Sequence, residues 1–323
     1  METPPQLVEA ADHHFVPKFY LKGFTDKSKK LWVYEKGSNA PRESTPKSEG
    51  NIENYYTFTD RVYPDDQAEK ALARAESAAA PVIRKLANPL FVMNDAQRSE
   101  LYTFVALTYV RVPAYREFID KQAGTLMKRF TQEKFKDEVV FLASLKEYEA
   151  ETGKSLGDPE KLRQFIASDR YTISQKSAGF NLLQIFRSCL MISEVLEREY
   201  RYDIYYAPHS MYFMTGDNPI ITIEPNTDGQ AFVGTGFGRP RTQVVFPLNK
   251  RACFILNRHG TGKRIEASPH RTRQVNEMIM GVSQKFLYGP EGTRRIARIY
   301  NQQGCKIRYG ENAFMAAPPL RKE

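Results

Sequence analysis

Leu196-Glu197-Arg198-Glu199-Tyr200-Arg201-Tyr202-Asp203-Ile204-Tyr205-Tyr206 is the stretch at which the chain changes its hydrophobic period. Upstream, Leu182, Leu183, Ile185, Phe186, Leu190, Ile192 and Leu196 recur at helical spacing in a segment opened by Ser174. From Tyr200 onward the period is two: Tyr202, Ile204 and Tyr206 alternate with polar neighbours. Short apolar runs then follow at residues 212–215, 220–223, 242–246 and 252–256. Helices in one block followed by strands in another indicate an α+β fold, since a parallel α/β sheet would alternate the two. The expected architecture has N-terminal strands and a central helical block packed on a mainly antiparallel C-terminal sheet.

Outward from that boundary, the helical block reads as several elements. Asp65 or Asp66 caps a helix from about Gln67 to Leu86, with Ala68, Leu72, Ala75, Ala79, Val82 and Ile83 on one side and Pro81 as a bend. Asn94 or Asp95 caps the next, striped by Leu101, Phe104, Val105, Thr108 and Tyr109, and Pro113 kinks it. Residues 121–169 are highly charged, yet Phe141, Leu142, Leu145 and Tyr148 still repeat helically, so helices with one solvated face are expected. The chain is read as a single domain, 1–323, with a helical insertion at about 121–170. Residues 31–36 and the aromatic stretch 51–58 read as strands, separated by a polar loop carrying Pro41 and Pro46. Ser268-Pro269 opens a late helix bearing Val275, Met278, Ile279 and Val282, and residues 294–302 read as a last strand. Gly234-Thr235-Gly236-Phe237-Gly238-Arg239 lacks the ending of a phosphate-binding loop and lies between strands, which makes it a hairpin loop.

Composition narrows the function classes. The 323 residues are 41% hydrophobic with 26% charged, which suits a folded globular chain. Lys and Arg exceed Asp and Glu by 47 to 38, a net charge of +9 that fits a polyanionic partner such as nucleic acid, although the basic residues are scattered along the chain. Cys189, Cys253 and Cys305 are far apart and odd in number, so they spell out neither a disulfide framework nor a zinc ribbon. No apolar run reaches a membrane-spanning length, and residues 1–11 contain Glu2 and Glu9 without an apolar core. A cytoplasmic protein without membrane contact is expected; the oligomeric state is not legible.

His13-His14-Phe15-Val16-Pro17-Lys18-Phe19-Tyr20-Leu21-Lys22-Gly23-Phe24 holds two of five histidines beside a proline and aromatic anchors. Further along stand Glu53 with Tyr56, a helix bearing Glu69 and Glu76, Arg111-Val112-Pro113, Gly216-Asp217-Asn218-Pro219, Phe246-Pro247-Leu248 and Asn276. These landmarks, in this order, resemble a bacterial family known as domain of unknown function 4238, over about His13 to Tyr288. The resemblance assigns no catalytic role.

The residues themselves suggest two functions. In the first, a phosphodiester hydrolase, Glu53 and Asp217 hold a divalent metal (Mg or Mn), His13 or His14 activates water, and Arg111 steadies transition-state charge. This would be a nuclease used in conflict with phage or rival bacteria. In the second, the protein is a non-catalytic nucleic-acid or protein binding module, and the histidines and Arg111 are a buried polar network that fixes the fold. Asp217 reads somewhat more readily as a turn former, because Asp and Asn accept backbone N–H bonds locally. Both versions require the histidine segment and the Asp-Asn-Pro turn to meet across the chain.

Overall fold

The structure, a computed structural model, describes residues 12–53, 55, 65–174, 178–225 and 231–303. The N-terminal part forms β1 (Asp12–His14), the single turn α1 (Lys18–Leu21) continued by a 3-10 turn (Lys22–Phe24), β2 (Leu31–Glu35), β3 (Arg42–Ser44) and β4 (Asn51–Glu53). The helical block comprises α2 (Asp65–Lys85), α3 (Asp95–Val110), α4 (Pro113–Lys134), α5 (Glu138–Thr152), α6 (Pro159–Ala167) and α7 (Ala178–Glu199). Strands β5 (Arg201–Tyr206), β6 (Thr215–Gly216), β7 (Ile221–Pro225), β8 (Ala231–Val233), β9 (Gln243–Pro247), β10 (Ala252–Asn257) and β11 (Arg264–Glu266) follow. The described chain closes with α8 (Pro269–Val282), β12 (Phe286–Gly289) and α9 (Arg294–Gln303).

The main sheet runs β11-β5-β10-β9-β7-β8, antiparallel at every pairing but β11 on β5. A second antiparallel sheet, β3-β2-β12-β6, joins the two ends of the described chain, and β1 with β4 makes a two-stranded ribbon. The fold is therefore α+β, as the change of period implies.

Successive residues of β9 and β10 face opposite ways. Val244, Phe246, Phe254 and Leu256 pack into one core with Leu101, Phe104 and Val105 of α3 and Ile185 and Leu196 of α7. Val245 and Cys253 belong to a second core with Phe213, Met214, Ile279 and Leu287. Covered on both faces, these strands have no polar side, which is why 252–256 reads as an unbroken apolar run. Strand β5 lies nearer the sheet edge and keeps its alternation, with Ile204 and Tyr206 buried.

Helix α3 starts at a reciprocal cap: the Asn94 side chain accepts from the Gln97 backbone, and the Gln97 side chain accepts from Asn94. It ends at Val110, and Pro113 is the first residue of α4, so the proline marks a break between two helices where the sequence suggested a kink. There its missing N–H costs nothing and its φ already suits a helix. The stretch 294–302, read as a strand, is instead within helix α9. Ile296, Ala297, Ile299 and Tyr300 face the second core at spacings of three and four, one side of a helix, whereas alternation would put Ile296 and Ile299 on opposite faces. Helix α7 begins at Ala178, after the expected Ser174. The glycine-rich loop links β8 to β9, which both pair with β7 and not with each other, so it crosses over a strand and is not a hairpin.

Helices α4 to α6 bury little; within them Gly124, Phe141 and Leu145 are the buried residues. Gly124 marks where the chain leaving α6 crosses α4, because a Cβ there would lie 1.9 Å from the carbonyl oxygen of Ile173. Gly124→Ala should gain about 1 kcal/mol in helix propensity and lose more to displacement of residues 168–174, a net cost of about 1–2 kcal/mol. Thermal melting, with limited proteolysis of the 153–174 stretch, reads the result; a stabilised variant would contradict the crossing.

Candidate polyanion-binding cleft

Pro17 precedes α1 with extended geometry (φ −60°, ψ 136°), and Lys18 and Lys22 follow one helical turn apart on one side. The segment is held from below. Tyr20, Leu21 and Phe24 are buried, the Lys250 ammonium donates to the Thr25 carbonyl at 2.7 Å, and a Cβ on Gly23 would lie 2.9 Å from that of Asn249. Asp26 then closes a tight turn, accepting from the Lys30 backbone at 2.8 Å. Within that turn Lys29 has φ +63°, the one positive φ outside glycine among the described residues. Opposite, the β3–β4 loop turns at Thr45, whose carbonyl accepts from Ser48 at 3.0 Å.

Between these two segments lies a cavity of about 430 Å³ lined by Lys18, Lys22, Thr25, Lys29, Thr45, Pro46 and Lys47. Four of the seven lining residues are exposed lysines; no carboxylate and no aromatic ring is among them. The ring of His14 stands beside it, its Nε2 3.2 Å from the Lys47 carbonyl. A carbonyl only accepts, so Nε2 carries the proton in this bond.

The residues singled out in the sequence fall in three places. His14 and Glu53 share one face of the β1–β4 ribbon and His13 is on the other, as the pairing Asp12↔Glu53, His13↔Ile52, His14↔Asn51 requires. His13 is buried and Glu53 exposed. Arg111, fully buried at the end of α3, pairs through Nη1 with Glu76 Oε1 at 2.8 Å, while its Nε and Nη2 have no hydrogen-bond partner among the described residues. Asp217 is buried at the end of β6, and its carboxylate accepts the backbone N–H groups of Gln284 (2.8 Å), Lys285 (2.6 Å) and Phe286 (2.9 Å). Burial pushes that carboxyl above its ordinary range, with the three N–H bonds pulling the other way. Arg111 and Asp217 thus engage different groups. Among the described residues no group of three His, Cys, Asp or Glu is placed to hold a metal. Tyr56 and Cys305, and the side chain of Glu69, lie outside the described residues. Cys189 and Cys253 are buried, and burial pushes both thiols up, away from nucleophilic use.

The N-terminal segment that carries the histidines is tied to β6, just before the Asp-Asn-Pro turn, by Tyr20. Its buried hydroxyl donates to the Pro247 carbonyl at 2.6 Å and lies 2.8 Å from Thr215 Oγ1, two residues before Asp217. Phe246 stacks on the same ring at 5.2 Å. The Gly50 carbonyl accepts from both Phe15 and Val16. Asn276 clasps the chain before β6, accepting from Met214 and donating to the Tyr212 carbonyl, both at 2.9 Å. Sequence reasoning treated Tyr20 as a packing anchor and passed over the lysines. Lys18 and Lys22 were visible as a helical pair, but Lys47 joins them only through the fold.

Fold and geometry together define an α+β protein with a lysine-lined cleft and a buried polar lattice joining its N-terminal segment to the sheets. The chain belongs to the family described as Protein of unknown function (DUF4238), whose model matches residues 12–292. Comparison with curated proteins and with solved structures returns no match. No helix among the described residues is long and apolar enough to cross a membrane.

Proposed function

We propose that this protein is a non-catalytic nucleic-acid binding module that grips phosphate through the lysine-lined cleft. The observation that carries this is the convergence of Lys18, Lys22, Lys29 and Lys47 on one concavity without a carboxylate, in a chain of net charge +9. Ammonium groups bind phosphates as point charges and release condensed counterions, so the affinity depends on salt. Four such contacts on a single strand should weaken binding about fifty-fold between 50 and 200 mM salt. Fluorescence anisotropy of a labelled single-stranded oligonucleotide measures this, and each lysine replaced by alanine should flatten the log–log salt slope by about 0.7. Absence of binding at low ionic strength would refute the proposal.

A metal-dependent phosphodiester hydrolase, a nuclease of bacterial defence or competition, is the second reading. It is favoured by His14, whose ring adjoins the cleft and shares a ribbon face with Glu53. Cleavage of the oligonucleotide in Mg²⁺ or Mn²⁺, abolished by His14→Ala, would establish it.

A further inference from the structure

We propose that the cleft selects a compact, multiply charged phosphate group, the 5′-triphosphate end of a strand, over internal phosphodiesters; the inference rests on the nucleic-acid reading above. Three features of the lining point to an end. The first is shape. Its lysines come from two short segments, 18–29 and 45–47, which flank one concavity of about 430 Å³. That volume is in the range of sites enclosing a small ligand, about 300–1,000 Å³, whereas a groove tracking a backbone runs on past several nucleotides.

The second is charge density. An internal phosphodiester carries one negative charge, and successive ones are spread along the strand, whereas a triphosphate presents several on adjoining phosphorus atoms. Four lysine side chains lining one concavity match the latter. In the free protein these like charges repel, and a ligand that neutralises several at once relieves the repulsion at a single stroke.

The third is what the lining lacks. Single-strand binding tolerant of sequence draws on aromatic stacking. Here the rest of the lining is Thr25, Thr45 and the buried Pro46, with no aromatic ring and no side-chain amide or carboxylate to engage a base. Phosphate is the part of a nucleotide such a surface recognises. The frame is also set before any ligand arrives. Thr25 donates to the Lys22 carbonyl at 3.0 Å and its own carbonyl is held by Lys250, while the left-handed backbone of Lys29 keeps that residue in a tight turn.

The test compares two oligonucleotides of one sequence, ending in 5′-triphosphate or 5′-hydroxyl, by calorimetry with the full chain, and adds inorganic tripolyphosphate as competitor. The triphosphate strand should bind at least tenfold tighter than the hydroxyl strand, and tripolyphosphate should displace it. Lys22→Ala with Lys47→Ala should erase that preference, while Lys146→Ala, on the exposed side of α5, should leave it intact. Both cleft lysines are exposed and Lys47 contacts His14 through its backbone, so the double variant should fold, which its melting curve checks. Equal binding of the two strands, untouched by tripolyphosphate, would overturn the end-selection inference and leave the nucleic-acid reading standing. Binding of tripolyphosphate with neither strand bound would overturn the nucleic-acid reading and the strand-end assignment with it.

Discussion

Asp217→Ala is expected to lower the unfolding free energy by about 3 kcal/mol, because three part-buried N–H groups lose a charged acceptor together and charge-assisted bonds contribute about 1.5–3 kcal/mol each, less where water reaches the donors. Those donors, Gln284, Lys285 and Phe286, lead into β12, and Asp217 itself donates back to the Phe286 carbonyl at 2.9 Å. The neighbourhood has no slack to compensate, since a Cβ on Gly216 would lie 1.9 Å from Ser283 Oγ. Urea denaturation reads the loss. A ligand of a solvent-facing metal would behave otherwise: the variant would stay within about 0.5 kcal/mol of wild type and lose only metal-dependent activity. Acidity gives an independent readout. The folded carboxyl holds its proton more tightly than the unfolded one, since burial raises it above 3.8. Its stability contribution is therefore greatest below about pH 4 and declines as pH rises through the folded value. Relative to Asp217→Asn, the wild type should gain stability as pH falls from neutral toward 4, and a difference that ran the other way would show the N–H bonds outweighing burial.

Glu76→Ala should cost about 3 kcal/mol by leaving the Arg111 guanidinium buried without its counter-charge. Arg111 is wholly inaccessible and Glu76 is 27% exposed, so the carboxylate is partly hydrated and the effect is set at the low end for a buried pair. Nε and Nη2 of Arg111 already lack partners among the described residues, which makes the cation an expensive tenant of this site. Adding Arg111→Met to Glu76→Ala should therefore recover most of the loss, because an apolar side chain of similar length removes the uncompensated charge. If the double variant is no more stable than Glu76→Ala, the guanidinium is satisfied by something other than Glu76 and acts on its own account.

Much of the fold was legible because it rests on periodicity. The switch at Tyr200, the cap at Asn94 and the apolar runs of β9 and β10 are local signals, and each became the element it implied. The failures have local causes as well. Pro113 satisfies both a kink and a helix start, and which occurs depends on where α4 is drawn by its packing. In residues 294–302 the apolar positions Ile296, Ala297, Ile299 and Tyr300 fall at helical spacing, a signal the strand reading passes over because it weighs the short arginine-broken run alone. The site was less readable. Asp217 reads as a turn former somewhat ahead of a ligand, and its three amide partners lie nearly seventy positions on, beyond the reach of local pattern. The cleft was invisible for the same reason, since Lys47 and Lys18 become neighbours only once β3 and β4 have paired with their partners.

Strand β2 near one end of the chain is bonded to β12, whose residues 286–289 come near the other, and β6 completes the sheet only through β12. During synthesis β2 can pair with the nearby β3 but waits without β12 on its other side while the intervening chain is made. Closure of so long a loop is slow, and the β12 side of β2 is open to chance association in the interval. Final assembly of this sheet waits until β12 has been made, and chains cut short before residue 284 carry Asp217 without the three amides it accepts from.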